Sequence, residues 1–270
     1  MKKINYPEIS KMLLNIVIYL VFLIYMINLI ITTPQTGTKL LYLFILVVFL
    51  GFAVWYEVLK QLYRKALTLL LFDCDPEKSF NTFSQLIKMD LFKSYRMAQL
   101  VYLTLYYTDT YQMEKLKQLL DDHDKEFRSS LELLLVADYN SYTYYRVTGN
   151  KTQMKRIYPK LIELRDVKIK KKSIAPYYNW DYVSGTYSLA VNDLKKARTY
   201  LEHVDLINSN KREKCHYYVS MHELALRENR PDEMVKWRKL LMAEGNLMNY
   251  ANYLAIQTGG FTYEKTQDDR

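Results

Sequence analysis

Two long stretches without a charged residue stand near the start of the chain, residues 12–31 and 40–56. Each is close to the ~17–20 residues that a helix needs to cross about 30 Å of hydrocarbon. A helix satisfies its own backbone hydrogen bonds there, which no other open-chain element can do. The link between the stretches holds Pro34 and Gly37, both breakers, and predicts a tight reversal. The pattern therefore predicts a two-helix transmembrane hairpin over residues 12–59. A cleaved signal peptide has a shorter apolar core and a small-residue cleavage site, and Thr32-Thr33-Pro34 offers no such site. A soluble helical pair would carry charges at helical spacing, and these stretches carry none.

After Leu59 the pattern changes to apolar residues three and four apart, as from Leu134, Leu135 and Val136 to Tyr142 and Tyr145. No stretch alternates cleanly enough to predict a sheet. Asn210 stands three residues before Glu213 as a capping pair. Asn229 precedes Pro231, Asp232 and Glu233, a proline-led and acidic first turn. Pro176 heads a further predicted helix, and Pro159 falls inside one, where it is expected to produce a kink. Five turn residues are predicted at Asp75, Thr108, Gly149, Gly185 and Asn229. Five positions after them come Phe80, Met113, Met154, Ala190 and Met234, and seven further on Ile87, Leu120, Leu161, Ala197 and Leu241. A turn followed by an amphipathic helix thus recurs, with another helix before it. The expectation is an array of about five helical hairpins over residues 60–258. A helix at 246–256 would cap its end, and a flexible tail over 259–270 would follow Gly259 and Gly260.

At Gly185 the pattern becomes more specific. Gly185-x-Tyr187-x-x-Ala190-x-x-x-Leu194-x-x-Ala197 resembles the turn and second helix of a tetratricopeptide repeat (TPR). In that family the glycine permits the turn, and small residues let neighbouring helices approach. The resemblance implies an all-α chain, the membrane hairpin followed by a TPR-like α-solenoid. It further implies a concave face, lined by the first helix of each hairpin, that binds peptides or protein segments and acts as a scaffold.

Charge sets the expected orientation. Lys2, Lys3 and Lys11 precede the first apolar stretch, Lys60, Arg64 and Lys65 follow the second, and the link holds only Lys39. Basic residues are retained on the cytoplasmic side, so both termini, including residues 1–11, are expected in the cytoplasm. The formal net charge is +9, which favours an anionic membrane surface. Nucleic acid is not expected, since no finger, zipper or RNA-binding motif accompanies the charge. Cys74 and Cys215, far apart in sequence, read as isolated reduced thiols.

Motifs for catalysis are missing. His222-Glu223 begins like a zinc-protease helix, but Leu226 occupies the place of the second histidine. His123, His203, His216 and His222 show no i, i+4 spacing, and there is no phosphate-cradling glycine loop. Neither an enzyme nor a cofactor nor a metal is expected. One stretch stands out as a contact site: Arg165, Lys168, Lys170, Lys171 and Lys172, followed by Tyr177, Tyr178, Trp180 and Tyr182. Its lysines would meet lipid headgroups or an acidic partner segment, and its aromatics would supply anchor area. The competing reading is a solvated loop whose aromatics fill the helical core. The expected role is a membrane-anchored, cytoplasm-facing adaptor that binds or positions another protein or peptide. A peptide-responsive regulator and a non-catalytic subunit of a membrane complex are the alternatives.

Overall fold

The computed structural model describes residues 6–165, 167–169, 172, 173 and 179–248. Pro176, the 259–270 tail and all but the start of the expected 246–256 helix lie outside the described residues. Two compact units divide the chain, residues 1–61 and 62–270.

The first unit is built from helix α1 (Tyr6–Thr32) and most of α2 (Thr36–Leu71). The link between them is only 33–35, shorter than the sequence predicts, because Gly37 has joined the first turn of α2. The Thr33 hydroxyl donates to the Leu29 carbonyl (2.7 Å), closing the last turn of α1. Phe22 and Tyr19 meet Phe49 at ring-centroid distances of 4.1 and 6.1 Å, so α2 returns along α1. Met26 and Leu46 are buried, whereas Ile24 and Phe44 are each 66% exposed, as are most apolar side chains around them. Such a continuous apolar surface is strongly unfavourable in water. Among the described residues α2 is the one helix long and apolar enough to cross a membrane; the apolar part of α1, Val17–Thr32, is shorter.

Among its described residues the second unit is helical, apart from one two-residue strand pair. Five pairs of helices are each joined by the same kind of turn. The pairs are the end of α2 with α3 (Pro76–Met89), α4 (Arg96–Asp109) with α5 (Met113–Asp122), and α7 (Leu131–Val147) with α8 (Lys151–Arg165). They continue with α9 (Trp180–Ala190) and α10 (Leu194–Glu202), then α11 (Lys211–Arg227) and α12 (Pro231–Glu244); the short α6 (Asp124–Phe127) precedes α7. At each turn one residue has positive φ: Cys74, Tyr111, Gly149, Asn192 or Asn229. The next backbone N–H returns to a carbonyl of the helix just ended, as in Gln112 to Tyr107, Asn150 to Tyr145, Asp193 to Ser188 and Arg230 to Ala225. That bond satisfies a helix-end carbonyl that would otherwise be orphaned. In three of the five hairpins the second helix is then capped at once, by Asp75 on Lys78 N, Asn150 on Gln153 N and Asp193 on Lys196 N. Asn210 and Glu213 form a full capping box at the start of α11, as their spacing predicts. α8 continues through Pro159.

The predicted turns at Gly149 and Asn229 are real, and Asp75 and Thr108 lie within three residues of theirs. Gly185 is different: it lies inside α9, and the turn is at Asn192. Its missing Cβ is used for packing. A Cβ there would sit 2.7 and 2.8 Å from Leu201 side-chain carbons of α10, closer than van der Waals contact allows.

Tyrosine joins one hairpin to the next. Phe83 of α3 stacks on Tyr102 of α4 at 3.9 Å, and Tyr158 of α8 stacks on Tyr187 of α9 at 3.7 Å. Three tyrosine hydroxyls meet a Ser or Thr on a neighbouring helix: Tyr102 with Ser79 (2.7 Å), Tyr142 with Thr186 (2.9 Å), Tyr158 with Ser184 (3.3 Å). A ring of this kind supplies apolar area and fixes register through its polar tip.

Replacing Gly185 with Val should lower the unfolding free energy by about 1–3 kcal/mol through overpacking against Leu201. Thermal unfolding followed by circular dichroism measures this. An unchanged midpoint would mean that α9 and α10 can separate without cost.

Candidate functional site: an inward-facing cavity

The first helices of successive hairpins each present one face to a common interior. α7 directs Val136, Tyr139, Asn140, Thr143 and Arg146 inward, positions separated by three and four residues and hence on one helical face. With Val101 and Leu105 of α4, Tyr182 of α9, the 204–210 loop and Arg212, His216 and Tyr217 of α11, they enclose a cavity of about 510 Å³. The lining is mixed: Leu71, Val101, Leu105 and Val136 are apolar, and the remaining residues carry chiefly amides, hydroxyls and charges. Asn140 is buried, and its amide donates to the Val136 carbonyl (2.8 Å). The Tyr182 hydroxyl donates to the His216 carbonyl (3.3 Å) and lies 3.2 Å from Ser220 Oγ.

The wall is held by a buried carboxylate. Asp109, at the end of α4, receives Arg212 Nε at 2.6 Å and lies 3.0 Å from His216 Nε2. Burial alone would raise its carboxyl. The Arg212 charge and the His216 hydrogen bond more than offset that and hold it below the usual carboxylate value. Burial lowers the His216 imidazole, and the Arg212 charge adds to this, while Asp109 opposes it only in part. His216 is therefore neutral near pH 7, with its proton on Nε2, donated to Asp109. Next to it the two cysteines meet: the Cys74 thiol is hydrogen-bonded to Cys215, which with burial pushes it far up. The two thiols that look isolated in sequence are therefore one buried pair. The ends of the unit also join, through Asn246 Nδ2 to the Asp73 carbonyl (2.7 Å) and Leu247 N to the Cys74 carbonyl (3.2 Å).

Arg146 also lines a smaller cleft of about 180 Å³ with Glu223 and Arg227. Glu223 is buried and paired with Arg227; burial raises its carboxyl despite the nearby Arg227 and Arg146 charges. His222 is packed inside α11, its imidazole lowered by burial. Among the described residues no three His, Cys, Asp or Glu side chains are grouped as metal ligands.

The basic-aromatic stretch is divided by the structure. Lys168 and Lys172 belong to a two-residue antiparallel ladder, β1 (Lys168–Ile169) with β2 (Lys172–Ser173), in place of the expected open loop. Lys170, Lys171, Tyr177 and Tyr178 lie outside the described residues. Asn179 caps α9, and Trp180, next in sequence, packs against the core around Leu135, Met154 and Leu161. Tyr182 faces the cavity. Sequence reasoning missed Asp109, Asn140, Thr143, Arg146, Arg212 and His216 as a group, because they come from helices up to a hundred residues apart. The available signal was Asn140 and Thr143, small polar residues at helical spacing in an otherwise aromatic helix.

No family model, curated protein or solved structure matches the chain.

The buried histidines generate a pH prediction. His216 and His222 bind a proton more readily unfolded than folded, so their contribution is lost as pH falls through the ordinary imidazole value of 6.5. Asp109, held ionised, contributes a further loss only below its ordinary 3.8. Glu223 and Asp138, raised by burial, act in the opposite direction. The fall in melting temperature between about pH 7.5 and pH 5.5 should therefore be smaller in His216→Asn/His222→Asn than in the wild type. Equal falls would show that neither imidazole is held neutral.

Proposed function

We propose that this chain is a membrane-anchored adaptor whose cytoplasmic domain holds a segment of another protein, or a peptide, in the inward-facing cavity. In this reading α1 and α2 both span the bilayer, both termini are cytoplasmic, and the five hairpins form a TPR-like α-solenoid without a catalytic role. The observation that carries it is the composition of the cavity wall. Val101, Leu105 and Val136 offer apolar area, and Asn140, Thr143 and Tyr182 offer amide and hydroxyl groups in the same lining. An extended peptide presents the same mixture of apolar side chains and backbone hydrogen-bonding groups. The size also suits a ligand, at 510 Å³ within the ~300–1,000 Å³ common for binding pockets. The exposed apolar surface of the first unit supports the membrane anchor, and the basic residues flanking it support the orientation. The lysine-rich stretch at 168–172 serves in this reading as a contact for acidic lipid or an acidic partner segment.

A second reading, a peptide-responsive regulator, is favoured by one specific feature. Arg212 and His216 line the cavity and also hold Asp109, so a bound peptide would act on the groups that join α4 to α11.

A photo-crosslinking amino acid placed at Leu105 or Val136 in the full chain, in native membranes, tests the site. Both positions should trap the same polypeptide, identified by mass spectrometry, and Val235, exposed on α12, should not. Equal capture at all three positions, or none at the two cavity positions, would remove the cavity from the proposal.

A further inference from the structure

The connection between α3 and α4 presents large apolar side chains outward from a tightly organised loop. Asp90 is buried, and its carboxylate accepts from Ser94 N and Ser94 Oγ (both 3.0 Å) and from Tyr95 N (2.7 Å). Lys93 takes positive φ within the loop. The one acid of the loop is thus turned inward, and Leu91 and Phe92 are left 77% and 67% exposed. Met89 and Met97, also exposed, flank them, with the exposed Lys88 and Lys93 alongside. Arg96 reaches Glu126 at 2.6 Å. A flexible loop could fold its apolar residues away; this one is pinned with them out.

The place of the loop within its unit suggests what covers it. The Tyr95 ring lies 5.3 Å from Tyr63, so the loop is on the side where α2 enters the unit. Tyr63 follows Tyr56, the last residue of the second uncharged stretch, by seven residues in sequence. An outward face of apolar residues and lysines, with its acid buried, complements an anionic bilayer surface.

We propose that Leu91, with Lys88 and Lys93, forms a second membrane contact, its apolar side chain entering the headgroup boundary and the lysines meeting anionic lipid headgroups. The proposal rests on the reading of α2 as a membrane span. It assigns the α3–α4 loop the role of orienting the cytoplasmic domain against the bilayer.

The test uses the full chain in phosphatidylcholine vesicles containing phosphatidylserine. Single cysteines at Leu91→Cys, Val47→Cys and Ile207→Cys are labelled with an environment-sensitive fluorophore; Cys74 and Cys215 are buried and do not compete. Lipids carrying a quencher at shallow or deep positions then report depth. The label at 91 should be blue-shifted and quenched severalfold more by shallow quencher than the label at 207, and the label at 47 should respond to deep quencher. Leu91→Cys should leave thermal unfolding unchanged, since the side chain is exposed. If 91 behaves like 207 while 47 is quenched, the loop contact is wrong and the span stands. If 47 is not quenched, the span fails and this inference with it. A blue-shifted label at 91 that ignores lipid quencher would mean that protein, a partner or a second copy, covers the loop, and that also overturns it.

Discussion

Asp109 is the group on which the second unit depends most. A carboxylate taken fully out of water costs several kcal/mol unless charge and hydrogen bonds replace its hydration. Here the replacement comes from Arg212 and His216, more than a hundred residues later in the chain. Stacked hairpins contact chiefly their neighbours, and nothing in such stacking fixes where the row ends. The Asp109 pair is a contact of another kind, linking the second hairpin to the fifth. With the Cys74–Cys215 pair and the Asn246–Asp73 hydrogen bond, it brings the first turn of the unit to its last helices. The interior so enclosed is the cavity. An apolar trio in place of Asp109, Arg212 and His216 could be as stable, but it would not demand one alignment of α4 against α11.

Much of the helical plan was legible because helices and caps are local. Asn210 and Glu213 announce their capping box, and Pro76 and Pro231 take the first helical positions where a missing N–H costs nothing. The turns were legible only where a residue suited to positive φ occupies them, as at Gly149 and Asn229. Tyr111 and Cys74 adopt the same conformation with side chains that give no such signal, held there by the helix-end hydrogen bond. Gly185 misled for the opposite reason. A glycine is needed both where φ is positive and where two helices touch, and only the contact with Leu201 distinguishes the two. The cavity was the least legible part. Its polar groups are assembled by packing between helices, a relation that no local spacing encodes.

The abundance of tyrosine, 26 residues in 270, becomes intelligible at the same level. Phenylalanine would fill the space between hairpins equally well but would slide. A tyrosine hydroxyl buried beside Ser79, Thr186 or Ser184 must find that partner or lose a hydrogen bond, at about 1–3 kcal/mol for a buried polar group left alone. Part of the aromatic content is thus spent on register. Trp180 illustrates it, packed among Leu135, Met154 and Leu161, while Tyr182, two residues on, faces the cavity.

Because Arg212 and His216 both hold Asp109 and line the cavity, occupancy and closure cannot be independent. A ligand that binds only the closed form stabilises it by mass action, by about 2.7 kcal/mol at a hundred times its dissociation constant. A ligand that draws Arg212 away leaves Asp109 buried beside a neutral imidazole alone, and closure weakens. Which of these applies depends on where the ligand carries negative charge. An apolar segment resting on Val101, Leu105 and Val136 favours the closed form, and an acidic group reaching Arg212 competes with Asp109 for it. The adaptor and regulator readings therefore differ less in site than in sign. The first requires an occupant that leaves the Asp109 pair intact, the second one that replaces it.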